Sequence, residues 1–586
     1  MADMPSLTPA TPIDTRAVSD GTGIKVLFIN PPTIPYTYLV NGLSDPHSAF
    51  HQFVAIPMGL LYLSSMLESR LPGIRVEVMD LARALCDYSN DKNRKSMTIA
   101  EMTTLQLQNL PDDFEPTFVG ISILFSTAHK SSLHIAAAVK ARWPHVPIVV
   151  GGMHATNAVE SLLESEAVDY VCRGEGEAII ANFASLVAQG GEVELLPGMV
   201  GRKKLAADKK AALNQIAPVI DNLDEIPFPA WHLLPMEAYV ECDNSIARQI
   251  DVDAHDRMIP IMTTRGCPFH CTFCSTWTVH GRAMRYRSIA NVLDELTILK
   301  ERYAASVVTV QDDLFSVKKD RFIPLCNAVA EKFNRSMQFQ FPNGLSVATL
   351  DQDVIRAMIN MGMRLATIAI ESGSKYVQRH IIKKNCNLDR ARRVVQICRD
   401  EGIYVRAYFV IGFPGETKEM IQETVDFICN LPTDWNVISI AAPLIGTEMY
   451  HQMMEAGWID QTFNWDNAMF NERAFDTTEV TAKELKEFAY STNIKANFFE
   501  NYNYRNGEFD RAMIFYGDVL RHHKGHIIAQ YCIARCHKGK GDMAAYEQAI
   551  DNCRAMIETG YQLAKEHLAR YADRMPELSD LSAALQ

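Results

Sequence analysis

The stretch TTRGCPFHCTFCSTW, at residues 263–277, is the most informative part of this sequence because it joins a cluster of cysteines to the end of a strand. It overlaps the apolar run MIPIMTT at 258–264, which has the composition of a buried β-strand. Cys267, Cys271 and Cys274 stand in a CxxxCxxC spacing. Three thiolates on one short loop can converge on one soft metal centre, and sulfur ligands favour an iron–sulfur cluster or zinc.

The number of cysteines in this loop distinguishes two kinds of metal site. A structural zinc site needs a fourth ligand nearby, whereas a catalytic centre keeps one coordination position open for substrate. The triplet therefore predicts a centre with an open position. A zinc site completed by His270 or His280 is the alternative.

A series of strand-like runs surrounds this loop and alternates with helix-patterned segments. In one such segment, 288–300, Ser288 can cap the amino terminus of a helix with one apolar face. Six βα units predict a partial (βα)6 barrel of the TIM type, in which the chemistry sits at the carboxyl ends of the strands. The six runs are 258–264, 306–313, 337–343, 364–372, 404–412 and 436–443.

An earlier series of strands and helices precedes the barrel. It predicts a flavodoxin-like, doubly wound parallel sheet of about five strands that holds its ligand at their carboxyl ends. A GxGxxG or GxxxxGK[ST] motif is absent from it, which argues against a dinucleotide or a nucleoside triphosphate. The strand runs are 24–32, 74–81, 118–126, 147–152 and 168–177, and helices are expected at 58–70, 134–143 and about 158–166.

The organisation along the chain follows from these two series. After about residue 450 the strands stop, and Gly507 and Gly541 stand 34 residues apart in similar helical contexts, which is the spacing of a tetratricopeptide repeat. A plain helical cap fits the same pattern. We expect a disordered leader at 1–23, a ligand-binding domain at 24–195, a linker at 196–250, the barrel at 251–450 and a helical domain at 451–586.

The composition excludes several classes of protein. The 586 residues carry a formal net charge of −13, which argues against broad capture of nucleic acid phosphates. No apolar run is long enough to span a bilayer, and the leader lacks the features of a secretory signal. Thirteen scattered cysteines do not resemble a disulfide framework. We therefore expect a cytoplasmic protein.

Through the cysteine triplet and the six βα units, the chain resembles the radical S-adenosylmethionine (SAM) superfamily. The resemblance implies that Cys267, Cys271 and Cys274 hold a 4Fe-4S cluster whose fourth iron is chelated by SAM. In that family an electron from the cluster cleaves SAM to methionine and a 5′-deoxyadenosyl radical, which abstracts hydrogen from an unactivated carbon. An external electron donor of the flavodoxin or ferredoxin type is implied as well.

Further polar and small residues match the family's SAM contacts at strand ends. The resemblance places Asp312 and Asp313 at the methionine amino group, and Glu371 and Ser372, followed by Gly373, at the ribose or methionine portion. Arg406 and Asn343 are candidates for the SAM carboxylate or the substrate. The residues implied near adenine are Phe273, Ile411 and the loop that begins at Pro443, while Gly412 and Gly415 permit a close backbone approach.

The domain order, with a flavodoxin-like sheet ahead of the cluster domain, resembles the cobalamin-dependent (B12-binding) branch of the radical SAM family over residues 24 to about 450. Local stretches that match are INPP (29–32), PMGLLYL (57–63), GGMHAT (151–156) and CRGEGE (172–177). In that branch the nucleotide tail of cobalamin threads into the sheet. The implied cobalamin contacts are Asn30, Pro31, Ser122, Ser126, Thr127, Gly151, Gly152, His154, Arg173, Gly174 and Glu175. A tight turn is the alternative for the two adjacent glycines at 151 and 152.

The lower face of cobalt is predicted to lack the usual histidine. The DxHxxG motif of other cobalamin proteins is absent, since residues 30–36 are NPPTIPY. The segment 47–58 could still bring His51 or Phe53 beneath the metal. Without a lower ligand, family chemistry favours homolytic release of a methyl group to a carbon radical.

These features predict a cobalamin-dependent radical SAM methyltransferase of class B type. It would transfer a methyl group from methylcobalamin to an unactivated carbon of a small-molecule or peptide substrate. The main alternative is a cyclase or other oxidative rearrangement, similar to the anaerobic magnesium-protoporphyrin monomethyl ester cyclase. A tRNA methylthiotransferase would bring additional cluster cysteines and a basic tail, and a cobalamin or cluster sensor would leave the SAM contacts unused.

Overall fold

The computed structural model describes residues 22–45, 54–240 and 256–581, together with a two-residue strand at Thr8–Pro9. Most of the leader predicted at 1–23 lies outside the described residues, as do His51 and Phe53. Contacts divide the chain into two compact units. Unit 1 comprises Met1–Asn244, His255–Phe315 and Ala442–Met469, and unit 2 comprises Ser245–Ala254, Ser316–Ala441 and Phe470–Gln586.

Unit 1 contains a six-stranded sheet with the strand order β2-β1-β3-β4-β5-β6. The first five strands are parallel and have the predicted doubly wound order, whereas β6 runs antiparallel to β5. β6 was not predicted, because the stretch MVG is too short to show the alternation of a strand. The strands are β1 Lys25–Asn30, β2 Arg75–Asp80, β3 Phe118–Ser122, β4 Ile148–Gly151, β5 Tyr170–Cys172 and β6 Met199–Gly201.

Helices cover both faces of this sheet. Leu27 and Ile29 of β1 belong to one apolar cluster, and Val26 and Phe28 belong to the other, because successive side chains of a strand point to opposite faces. The helix predicted at about 158–166 is present as Val159–Leu163, and an additional short helix, Met153–Asn157, precedes it. The helices are Tyr36–Ser44, Met58–Arg70, Leu81–Asn90, Ile99–Gln108, His129–Arg142, Met153–Asn157, Val159–Leu163, Ile180–Gln189, Arg202–Ala207, Lys209–Asn214 and Met236–Val240.

Unit 1 also holds the first two barrel strands. The strands β7 and β10 are parallel, and the short strands β8 and β9 form an antiparallel pair around the cysteine loop. The predicted cap at Ser288 is confirmed, since its hydroxyl accepts the Asn291 N–H at 3.2 Å. These elements are β7 Met258–Ile261, β8 Thr264–Arg265, β9 Arg285–Tyr286 and β10 Val307–Val310, with helices Trp277–His280, Ile289–Tyr303 and Glu448–Glu455.

Unit 2 holds the other four predicted barrel strands. Its four-stranded sheet has the order β12-β13-β14-β15 and is parallel throughout. All six predicted barrel strands are present, and β12 is an additional one. The strands are β11 Gln338–Gln340, β12 Leu345–Ser346, β13 Leu365–Glu371, β14 Tyr404–Ile411 and β15 Trp435–Ile440, with helices Lys319–Phe333, Gln352–Met361, Leu388–Asp400 and Lys418–Asn430.

The predicted helical C-terminus is confirmed. Gly507 and Gly541 have φ angles of 76° and 77°, and each lies two residues before a long helix, so the 34-residue spacing marks equivalent turns. The helices are Ala482–Ile494, Tyr502–Arg505, Phe509–His522, Ile527–Gly539, Met543–Glu558 and Gln562–Tyr571. Among the described residues, no helix has both the length and the apolar character that crossing a membrane requires.

Candidate active site and cofactor sites

The cysteine loop is held at both ends by backbone contacts within unit 1. The Cys267 N–H donates to the Gly281 carbonyl at 3.3 Å, and the Cys274 N–H donates to the Cys271 carbonyl at the same distance. Gly266, which precedes the loop, has a φ of 94°, and a Cβ there would lie 2.3 Å from the Ala283 carbonyl oxygen. The loop therefore requires glycine at its entrance.

A positive charge lies close to the three thiols. Burial lowers the pKa of the Arg282 guanidinium, whereas Cys267, Cys274 and Cys271 raise it. Arg282 therefore lies within electrostatic range of all three thiols. Arg282 also donates to the Phe269 carbonyl. A nearby cation favours thiolates, which are the ligand form of cysteine.

The donor set fits a soft metal centre, although the thiols do not converge on a point. No group of three or more His, Cys, Asp or Glu side chains forms a ready metal site in the described parts of the chain. The three cysteines are half-buried, form no disulfide and are confined to one eight-residue segment. His280, a fourth ligand in the zinc alternative, is engaged with Glu175 at 2.7 Å, which counts against that alternative. His270 is exposed.

A buried ionic network joins the CRGEGE segment to the cysteine loop. Glu175 receives Arg265 at 3.0 Å and Arg285 at 2.9 Å, and these two arginines belong to the strands that bracket the loop. Arg265 also reaches Glu177 at 2.7 Å. Burial alone would raise the pKa of Glu175, but Arg265, Arg285 and His280 together hold it well below its usual range. We call these five residues the Glu175 network.

Three predicted cobalamin contacts, Arg173, Gly174 and Glu175, have polar partners within the protein. Glu175 is only 4% exposed and its oxygens are occupied by cations. Arg173 donates to the carbonyls of Thr156 at 2.9 Å and Gln215 at 3.1 Å. Gly174 has a φ of 87°, and its N–H donates to the Thr156 hydroxyl. These polar groups are thus paired within the protein and hold neighbouring segments together, and their contact with cobalamin stays a prediction.

The two aspartates after β10 differ in their surroundings. Asp312 is buried and accepts from the Thr263 N–H and hydroxyl and from the Thr264 hydroxyl, so its carboxylate is used to fix neighbouring strand ends. Burial raises the pKa of Asp313 to about 6, against the opposing effect of His280. The Gly266 N–H at the start of the cysteine loop also opposes this rise in the pKa of Asp313, so the carboxyl group lies near that loop. Of the pair, Asp313 is the better candidate for an ammonium group.

Glu371 ends β13 in a conformation that is rare for its residue type. Its φ is 73°, and the pairing with β14 shifts register just before it. Its carboxylate pairs with Lys384 at 2.7 Å. Such strained residues cluster at binding sites, which supports the predicted contact. Ser372 is fully buried, and its hydroxyl pairs with Thr424 at 3.0 Å, so its side chain has a structural partner.

Ile411, the predicted adenine contact, points to the face of β14 that packs against helices. Ile411 is 1% exposed and lies in an apolar cluster with residues of two helices. Because β-strand side chains alternate, Val410 occupies the opposite face of β14 and is half-buried. The sequence run VIGFPG locates the strand end correctly but does not show which of the two adjacent apolar residues faces the site.

The turn after β14 is built around a buried acid. Gly412 has a φ of 85°, and its N–H donates to Glu416 at 2.6 Å. A Cβ on Gly412 would lie 2.4 Å from a Leu485 methyl group, so a glycine is required there. Burial raises the pKa of Glu416 to about 7, although the two backbone N–H groups and Arg473 oppose this shift.

We expect Glu416→Gln to reduce the pH dependence of stability in unit 2. The folded-state pKa is raised from 4.5 to about 7, so the stabilising contribution is complete below pH 4.5 and is lost as the pH rises through about 7. The shift corresponds to about 3 kcal/mol. Urea unfolding at pH 5 and pH 8 should show a smaller difference in the variant than in the wild type. An equal difference would contradict the assignment.

The remaining predicted SAM contacts have mixed placements. Arg406 lies half-buried on the same face of β14 as Val410, and its Nε has no hydrogen-bond partner. Phe273 is half-buried in the cysteine loop, Asn343 is exposed, and Pro443 is buried. Within unit 1, the Met449 N–H at the end of the 443–448 loop donates to the Thr272 carbonyl at 2.9 Å. That loop therefore contacts the cysteine loop.

The carboxyl ends of β3 and β4 provide the close approach that a threaded ligand needs. Gly152 has a φ of 100°, and a Cβ there would lie 2.7 Å from the Ile123 carbonyl oxygen. Only glycine fits, which agrees with both the cofactor hypothesis and the tight-turn alternative. Gly151 and Ser122 are half-buried. The Thr127 hydroxyl is paired with the Thr33 carbonyl, and the Asn30 amide donates to Asp80 at 2.8 Å. Pro31 is buried beside Asn30.

A chain of buried side chains lies at the same edge of the sheet. His154 Nδ1 is 2.9 Å from the Ser126 hydroxyl, and His154 Nε2 is 2.9 Å from His129 Nδ1. The Trp465 ring packs against His154 at 5.3 Å. Burial lowers the pKa of His129 to about 4 and that of His154 well below its usual range, so both rings are neutral at pH 7. His129 and Trp465 were not predicted, since nothing local in the sequence marks their partners.

Two apolar side chains are exposed at this edge. Leu124 and Phe125 lie just beyond the end of β3 and are 55% and 44% exposed. The run ISILFST shows their position, but a strand run of this length reads as wholly buried, so their exposure is not visible in the sequence. Exposed apolar residues beside a close-approach glycine are typical of a surface that contacts a ligand.

Comparisons with known proteins agree with this two-part architecture. The family model of the radical SAM superfamily matches residues 261–428, and that of the B12 binding domain matches residues 51–184. The chain is 27% identical over 428 residues to the cytidylyl-2-hydroxyethylphosphonate methyltransferase of Streptomyces wedmorensis, covering 69% of this chain and 79% of that protein. It is 25% identical over 383 residues to the anaerobic magnesium-protoporphyrin IX monomethyl ester cyclase of Rubrivivax gelatinosus, covering 65% and 62%.

A solved structure shares the fold over nearly the whole chain. The cobalamin-dependent SAM radical enzyme OxsB, with aqua-cobalamin and SAM bound, has a TM-score of 0.60, 13% identity, and coverage of 96% of this chain and 81% of that chain. The predicted fold class is therefore confirmed, with a B12-binding flavodoxin-like domain, a radical SAM domain of parallel βα units and a helical C-terminus.

Proposed function

Since the chain belongs to the B12-binding radical SAM family, we propose that it is a cobalamin-dependent radical SAM methyltransferase acting on an unactivated carbon. The observation that carries the proposal is the presence of both domains in one chain that aligns with a named methyltransferase over 79% of that protein's length. A cyclase or oxidative rearrangement is the second candidate, because the cyclase also aligns with this chain.

We propose the following residues as holders of the three cofactors. Cys267, Cys271 and Cys274 would bind the 4Fe-4S cluster; Asp313, Glu371 and Val410 lead the SAM contacts; and Gly152, with the exposed Leu124 and Phe125, leads the cobalamin contacts. When bound, the three cofactors would supply a deoxyadenosyl radical and a transferable methyl group, as in the family. We also propose the domain boundaries that the sequence predicts.

The protein's own groups would position and shield these cofactors. Glu371, in its constrained backbone conformation, presents a carboxylate already oriented by Lys384. Asp313, half-buried beside Gly266, offers an acceptor next to the cysteine loop. The buried histidines His129 and His154 stay neutral and add no charge at the edge of the first sheet. Polar groups held in place before binding lower the cost of orienting a ligand.

We also propose the cell context that this chemistry needs. An external one-electron donor of the flavodoxin or ferredoxin type would reduce the cluster, and the substrate would be a small molecule or a peptide. A cytoplasmic location fits the twelve described cysteines, none of which is in a disulfide.

A labelling experiment, carried out without substrate, tests whether the protein transfers the methyl group of SAM to cobalamin. The protein is reconstituted anaerobically with iron, sulfide and cobalamin, and then given SAM with a deuterated methyl group and a chemical reductant. We expect deoxyadenosine to form and the cobalamin released from the protein to carry the deuterated methyl group. Deoxyadenosine with unlabelled cobalamin would contradict the methyltransferase and favour the cyclase alternative.

A further inference from the structure

The helix Tyr36–Ser44, which follows the loop at 31–35, begins without a cap of its own. Its N-cap position is Pro35, whose side chain makes no capping hydrogen bond, and its first turn contains no acid. The first backbone N–H groups of a helix have no partner inside the helix. They therefore need an acceptor from another part of the chain.

Asp466 supplies this acceptor from 430 residues further along the chain. Its carboxylate accepts the Tyr36 N–H at 2.9 Å and the Thr37 N–H at 3.3 Å. The ammonium group of Lys130 lies 3.8 Å from the same carboxylate. Asp466 is only 3% exposed, so it is a buried cap for the start of this helix.

The turn that carries Asp466 is itself fixed within unit 1. The side chain of Asn464 accepts the Asp466 N–H at 3.2 Å. Trp465 is 7% exposed, and its ring packs on the Tyr450 ring at 6.0 Å. We call residues 464–467 the Asp466 turn.

The Asp466 turn also contacts a second segment for which we propose cobalamin contacts. The Trp465 ring lies 5.3 Å from the His154 ring and 6.4 Å from the His129 ring. His154 in turn pairs with the hydroxyl of Ser126, and both residues are among the predicted cobalamin contacts. The turn therefore contacts the chain that follows β1 as well as the chain that follows β3 and β4.

The loop at 31–35 is tied to the same edge of the sheet at two further points. The Thr127 hydroxyl donates to the Thr33 carbonyl at 2.5 Å. The Tyr36 ring stacks on the His134 ring at 4.7 Å, with the two planes 3° apart. A loop that is held at its middle and at its end loses little conformational freedom when a ligand binds, which favours binding.

We propose that Asp466 is a positioning residue for cobalamin, because it holds the loop at 31–35 in the conformation that the cofactor meets. The inference rests on the proposed function, since it takes cobalamin as the ligand of this edge. Asp466 lies outside residues 51–184, which match the B12 binding domain. Cobalamin binding should thus depend on a residue that follows the barrel in the chain.

Cobalamin binding to the full chain with a reconstituted cluster tests this role. The Kd for hydroxocobalamin is measured by equilibrium dialysis. Asp466→Ala should raise the Kd by at least about tenfold, because the helix start loses both hydrogen bonds and the loop becomes mobile. Asp466→Asn keeps one acceptor oxygen and should raise the Kd by a smaller factor.

Asp460→Ala is the matched control for these variants. Asp460 is an exposed aspartate six residues earlier in the same segment, and its carboxylate accepts from Thr462. We expect Asp460→Ala to bind hydroxocobalamin with the wild-type Kd.

Hydrogen exchange in the cobalamin-free protein shows whether Asp466 acts through the loop. Peptides that cover residues 31–44 should exchange faster in Asp466→Ala than in the wild type. Peptides from the helix Met58–Arg70, in the same sheet domain, should exchange at the wild-type rate. A residue that only stabilises the fold would accelerate exchange in both regions.

Two results would overturn the proposal. One is an equal Kd for Asp466→Ala and the wild type, and the other is faster exchange in both regions. Neither measurement uses SAM or methyl transfer, so a failure of the labelling experiment with normal cobalamin binding would leave this inference standing. A wild-type protein that bound no hydroxocobalamin would contradict the proposed function as well.

Discussion

Replacement of Cys267 by alanine is expected to abolish both the iron–sulfur chromophore and the formation of deoxyadenosine. Cys267, Cys271 and Cys274 are the three thiols of one loop, and loss of one leaves two ligands for a centre that needs three. Iron and sulfide analysis after anaerobic reconstitution, followed by chromatography of a reduced reaction with SAM, measures both effects. We expect no deoxyadenosine above a protein-free control.

A matched control separates this effect from general loss of a thiol. Cys429 is also free and half-buried, but it lies on the helix Lys418–Asn430, away from the cysteine loop in sequence. Cys429→Ala should retain iron, sulfide and deoxyadenosine formation. A Cys267→Ala variant that still produced deoxyadenosine would contradict the assignment of the loop, and zinc without sulfide in the wild-type protein would favour the zinc alternative.

The second large effect is expected at Glu175. Glu175→Ala would leave Arg265 and Arg285 buried with one carboxylate, Glu177, between them, and breaking a buried ion pair costs about 3–5 kcal/mol. The free energy of unfolding from urea titration should fall by that amount. Because the two arginines bracket the cysteine loop, the variant should also retain less iron after reconstitution.

Two further variants identify the cause of the Glu175 effect. Glu175→Gln keeps two polar atoms in the same place and removes the charge, so its loss of stability should be smaller than that of Glu175→Ala. Glu164→Ala changes an exposed glutamate of the same domain and should behave as the wild type. If Glu175→Ala unfolded at the wild-type urea concentration and kept its iron, the Glu175 network would not position the loop.

At Ile411 the sequence predicts where the strand ends but not which face the side chain occupies. The apolar run, the glycine and the proline correctly locate the end of β14, because strand composition and turn residues are local properties. The phase of the alternation is not local when both neighbours, Val410 and Ile411, are apolar. It is decided by the helix that packs on one face, and the structure assigns that face to Ile411.

The CRGEGE segment shows that the sequence does not reveal which charged residues pair with each other. Its residues were matched to a cofactor by resemblance, yet the oxygens of Glu175 are occupied by arginines about 90 and 110 residues further along the chain. Charged residues that are far apart in sequence carry no mark of their pairing. Only the folded chain shows that they meet.

The sequence alone located the six predicted barrel strands, the doubly wound sheet, the helical C-terminus and the loop that carries the three cysteines. These follow from hydrophobic periodicity and from spacing within a few residues. The tertiary structure decided which carboxylates are already paired and which face of a strand packs against helices. Those properties depend on distances between segments that are remote along the chain, and such distances are fixed only when packing brings the segments together.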